Sequence, residues 1–144
     1  MKRVFLISGA LLLTVLAACK KNTKLLSGRD WVVGSWRLTL QGPDKNGDGQ
    51  FNVDEKNTID ANAVITYQFI AGTLGYRIGP NHIYVDTLQW NLLDNDKTLK
   101  LTINDHGLIS NRYFWINMDF TNETMLMTDT SVNPVYFRQY QREN

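Results

Sequence analysis

The chain has 144 residues, enough for one domain, with 43% hydrophobic and 11% aromatic residues and a formal charge of +1. Of its 15 basic side chains, Lys2 and Arg3 lie in a segment expected to be removed, which leaves 13 against 14 acidic ones, a net of −1. No basic stripe remains, so the sequence offers no electrostatic grip on nucleic acid.

The N-terminus carries the first signal. Lys2 and Arg3 precede an uncharged stretch, Val4 to Ala18. At about 15 residues it is shorter than the roughly 20 needed to cross a bilayer, and it reads as a secretory signal peptide over residues 1–18. Leu16-Ala17-Ala18-Cys19 resembles the lipobox of bacterial lipoproteins. That resemblance implies cleavage before Cys19, acylation of its sulfur and new amino group by palmitate-type chains, and a membrane anchor. A plain signal peptide with a stray cysteine, or an uncleaved anchor, is the alternative. Cys19 is the one cysteine of the chain, so the mature domain has none left for a disulfide. Lys20-Lys21-Asn22 resembles neither the aspartate of inner-membrane retention nor the acidic surface-export signal of Bacteroidetes lipoproteins. The implied location is the outer membrane, on its periplasmic face. Residues 19–29 read as a polar, lipidated tether and 30–144 as the folded domain.

From Asp30 onward the hydrophobic period is mostly two, with turn clusters between the runs. The expected strands are Trp31–Leu40, Asn62–Ile70, Leu74–Ile78, His82–Leu92, Thr98–Ile103, Leu108–Phe120, Thr124–Thr130 and Val135–Arg142. No segment shows a helical period with caps. Eight antiparallel strands joined by short turns predict an all-β fold, an up-and-down barrel, with a β-sandwich as the alternative.

Alternation assigns an inner face. Val32, Trp36, Leu38 and Leu40 share one side of the first strand. Ala63, Ile65, Tyr67 and Phe69 share another, as do Tyr84, Leu88, Trp90 and Leu92, then Leu99, Leu101 and Ile103, then Phe114, Ile116, Met118 and Phe120. If the sheet closes, Tyr113 and Trp115 point outward, as a partner surface or as a patch covered by the N-terminal segment.

Gly34-Ser35-Trp36 resembles the G-x-W of the lipocalins. The resemblance implies an eight-stranded barrel with Trp36 at its closed end. It also implies a late arginine over the indole, here Arg138 or Arg142. The chain from about residue 28 to 142 is further similar to small lipocalin-like lipoproteins of Bacteroidetes, with an acidic glycine loop after the first strand and a hairpin from Trp90 to Leu101. Such a barrel implies a mouth that takes a small apolar ligand, lined by Trp36, Tyr67, Phe69, Tyr84, Trp90 and Phe114. These large side chains predict a small cavity, so a filled barrel serving as accessory subunit of an envelope complex is the second reading.

The loop Gln41–Ala61 is expected to hold no strand, a long gap for a compact domain. Within it, Asp44, Asn46, Asp48, Gly49 and Glu55 fill every position of a twelve-residue calcium loop. Three alternate side chains would supply oxygens, Gln50 its carbonyl, Asn52 a direct or water-bridged contact, and Glu55 two oxygens. A solvated turn-rich loop is the bland alternative. Without flanking helices a calcium ion here would be structural, bracing the fold instead of signalling.

Nothing in the chain marks catalysis. His82 and His106 are the two histidines, one at a strand start and one in a turn. There is no H-x-x-x-H, no nucleophile elbow and no cysteine nucleophile. Asp94 and Asp96 fall in a turn. The expectation is a protein that is not an enzyme.

Overall fold

The structure, a computed structural model, describes residues 28–80, 85–105 and 107–143. The signal peptide, Cys19, most of the tether, Tyr84 and both histidines therefore lie outside the described residues. A five-residue helix, α1 (Gly28–Val32), leads into β1 (Gly34–Pro43). The chain continues through β2 (Asn57–Thr58), β3 (Thr66–Phe69), β4 (Leu74–Ile78), β5 (Val85–Leu93), β6 (Thr98–Asp105), β7 (Leu108–Asp119), β8 (Thr124–Asp129) and β9 (Tyr136–Glu143).

Each strand from β3 to β8 pairs antiparallel with the next, β1 pairs with β3, and β1 also pairs with β9. That last pairing closes an eight-stranded up-and-down barrel, with two-residue β2 as an appendage on β1. Closure removes the free edges a sandwich would keep. Period-two patterning drives it: Leu99, Leu101 and Ile103 are buried at 0–2% exposure while Lys100 and Thr102 between them reach solvent.

Five expectations need correction. Gly28-Arg29 and Trp31-Val32 belong to α1, not to tether and strand; Val32 is buried under the barrel floor through the helix. Strand β3 starts at Thr66, because Asp60 accepts the amide of Asn62 and caps a short 3₁₀ turn over Ala61–Ala63. The long loop is not strandless: β1 continues to Pro43, and Asn57–Thr58 pairs with Gln41 and Leu40. A bulge between Leu38 and Leu40 places Leu40 opposite Gln139, on the outer face. Phe120 lies past the end of β7, is 54% exposed, and packs on Trp31 at 4.5 Å.

Candidate functional site

At the end of the barrel where β1 begins, the floor is sealed. The Trp36 indole N–H donates to the Val32 carbonyl at 2.8 Å. Arg142 lies opposite Trp36 in register, with its guanidinium 5.3 Å from the Trp36 ring and 5.1 Å from that of Trp31. The same guanidinium donates to the Val33 carbonyl. Arg142, not Arg138, is thus the late arginine over the indole. Gly34 is required here, since its φ is +139° and a Cβ would sit 3.0 Å from the Arg142 guanidinium. The Trp90 indole donates to Leu74 and Ile70 carbonyls, with Arg29 over its ring at 5.4 Å.

Five of the six expected lining residues come together among the described residues. Trp36, Tyr67, Phe69, Trp90 and Phe114 belong to one buried cluster. Tyr67 and Phe69 stack at 5.9 Å, and Phe69 meets Trp90 edge-on at 5.4 Å. Trp36, Leu99, Leu101, Met125 and Met127 have no accessible surface at all, so no water-sized void touches them. The inner half of the barrel is a packed core.

The opposite end is polar. Arg77 lies opposite the buried Tyr67 and pairs with Asp86. Arg138 lies opposite the buried Met127 and pairs with Asp129 at 3.6 Å. Register and burial point both pairs inward, above Tyr67 and Tyr140, whose rings are 5.6 Å apart. Burial pushes the Tyr140 hydroxyl well above its ordinary value, the neighbouring Tyr67 adds to the shift, and Arg138 opposes it.

The acidic loop folds onto the outer wall beside β1 and β9. Phe137 is buried yet outside the core cluster, and Phe51 of the loop covers it at 5.3 Å. Sequence reading missed this second, outer packing site; the lone phenylalanine in the acidic loop was its signal. The loop's first and last carboxylates are held in. Asp44 is 6% exposed and accepts the amides of Gly47 and Gly49; Glu55 is fully buried and accepts those of Lys45 and Asn52. Between them Asp48 accepts from the Asn46 and Asn52 amides at 3.1 and 2.9 Å. The Asn52 side chain and the Gln50 amide keep the Asp48 carboxyl below its ordinary value.

Among the described residues, no three His, Cys, Asp or Glu side chains gather on one point. The loop's donors are instead carboxylate, amide and carbonyl oxygens in alternation, a hard-cation set. Neither Asp44 nor Glu55 has an ion-pair partner among the described residues. In donor type the set suits calcium, while in this structure backbone amides satisfy both Asp44 and Glu55.

Fold and site define a class: a closed antiparallel barrel with an arginine–tryptophan floor at one end, two ion pairs at the other and an acidic loop braced against its wall. No protein-family model and no curated protein matches the chain. Among solved structures, the crystal structure of the N57A mutant of the fluorescent protein UnaG is similar, at 14% identity and a TM-score of 0.42, covering 80% of this chain and 98% of that one.

Proposed function

We propose that this chain is a lipid-anchored, lipocalin-like binding protein of a bacterial envelope, of the Bacteroidetes lipoprotein kind, and that it is not an enzyme. It takes a small apolar ligand at the barrel mouth. What supports this reading is a closed barrel with Arg142 over Trp36 at one end and two inward-facing ion pairs, Arg77–Asp86 and Arg138–Asp129, at the other. Because the inner half is filled, the ligand is short and sits above Tyr67 and Phe114, with its polar end at the charged ring. Cys19 supplies the acyl anchor, on the periplasmic face of the outer membrane.

Calcium belongs to the same proposal as a structural ion. The side chains of Asp44, Asn46, Asp48, Asn52 and Glu55 and the Gln50 carbonyl would hold it. The ion's charge would offset the buried carboxylates; the chain's own part is to keep the loop closed over Phe137.

Native mass spectrometry of protein purified from its own envelope, with and without chelator, tests both parts. A retained apolar molecule and one calcium are expected. A filled accessory barrel is the second reading, favoured by the absence of accessible surface on Trp36, Leu99 and Met127. Recovery of the bare chain with a stoichiometric protein partner would establish it and sink the ligand reading.

A further inference from the structure

On the outer wall, β7 turns two large aromatics to solvent: Trp115 is 64% exposed and Tyr113 is 50% exposed. They stand in register with Thr98 and Lys100 of β6, and the Lys100 ammonium lies 5.8 Å from the Tyr113 ring. Trp115 borders a groove of about 710 Å³ with Lys97, Asp94, Leu126, Thr128 and, from the tip of the acidic loop, Gly49. Indole and phenol rings beside lysines match the boundary of a bilayer, where amphipathic rings settle at headgroup depth and ammonium groups meet lipid phosphates.

The start of the described chain lies close to this wall. A Cβ on Gly28 would collide with Asp96, in the same turn as Asp94 and Lys97 of the groove. From Cys19 to Gly28 a fully extended chain reaches about 30 Å. Trp115 lies four residues before the end of β7, on the closed-end half of that strand. An anchor at Cys19 can therefore set this wall, and not only the barrel floor, against the lipid.

We infer that the β6–β7 outer wall is a membrane seat: Trp115 and Tyr113 enter the headgroup layer and Lys97 and Lys100 contact lipid phosphates. This rests on the anchored reading above. It fixes the barrel's orientation on the bilayer, with the wall down and the mouth to the side.

The test uses the acylated full chain from its own envelope, reconstituted in phosphatidylethanolamine–phosphatidylglycerol vesicles brominated just below the headgroups. Tryptophan emission is read alongside vesicle flotation. Trp36 and Trp90 are buried and Trp31 is half-buried, so the measurement is made in a Trp31→Phe background, where the expected quenching belongs to Trp115 and Trp115→Phe should remove most of it. Flotation without quenching, or equal quenching in Trp115→Phe, overturns the seat and leaves the anchor standing. Neither flotation nor quenching overturns both. A stoichiometric protein that cross-links over Trp115 also overturns the seat, in favour of a partner surface.

Discussion

Arg142 is clamped between Trp36 and Trp31, with 5.3 and 5.1 Å from guanidinium to ring centre, and donates to the Val33 carbonyl. It ties the last strand to the first strand and to the helix before it, adding a side-chain clamp at the floor to the β1–β9 pairing that closes the barrel. Arg142→Ala loses a partly desolvated cation–π pair and a charged hydrogen bond, a destabilisation of about 2–3 kcal/mol. Arg142→Lys should recover less than half, because an ammonium cannot lie flat between two rings and donate in plane. Urea unfolding followed by tryptophan emission measures both.

The calcium proposal gives a condition-dependent phenotype. At sites of extracellular affinity, about 10⁻⁴–10⁻³ M, a calcium concentration of about 10 mM stabilises the fold by about 1.4–2.7 kcal/mol. Asp48 is exposed and its bonds stay within the loop, so Asp48→Ala should change little in chelator. In calcium buffer the variant should melt below the wild type by the full calcium increment. Equal melting losses in both buffers would discard the metal.

Gly42 tests how the loop is docked. A Cβ there would lie 1.8 Å from the Glu55 carbonyl oxygen, so Gly42→Ala must lift the loop. The expected variant keeps its barrel circular-dichroism spectrum, exposes Phe137, and loses calcium protection. Uncovering one phenylalanine alone removes about 1.5–3 kcal/mol. An unchanged melting temperature would mean the loop does not brace the wall.

The hairpin between β5 and β6 holds three consecutive residues at positive φ: Asp94 at 54°, Asn95 at 54° and Asp96 at 66°. Asp and Asn tolerate this region better than other L-residues, which lose about 1–2 kcal/mol there. Asn95→Ala should therefore lower stability by about 1 kcal/mol, with Asn95→Gly at or above the wild type. The reverse order in thermal melts would show that the turn relaxes elsewhere.

Strand positions were legible because alternation survives wherever one face is buried. Leu74–Ile78 coincides with β4, and the outward turn of Tyr113 and Trp115 followed from Phe114 facing in. The G-x-W was legible as a motif; its reason, Gly34 making room for Arg142, needed the register of β9 on β1. Three things resisted reading. Helix α1 is too short to show a period and is built from strand-favouring Trp31 and Val32. The bulge at Leu38/Leu40 inverts the phase with no glycine or proline between them to announce it. The burial of Phe137 depends on Phe51, far away in the chain, folding back over the wall, which no local pattern encodes.

Tyr140 makes the core sensitive to alkali. It is 2% exposed and its hydroxyl ionises well above the ordinary tyrosine value of 10.0, because burial disfavours the phenolate. A raised folded-state value means the native state holds its proton where the unfolded chain has lost it. The associated stability is complete below pH 10 and declines as pH climbs from there towards the folded-state value. Tyr140→Phe removes the ionisable group but keeps the ring against Tyr67 and Met125. Its unfolding free energy should fall less steeply above pH 10 than that of the wild type, while near pH 7 the two differ by about 1 kcal/mol or less. Parallel pH profiles in the alkaline limb would show that Tyr140 reaches water before the barrel opens.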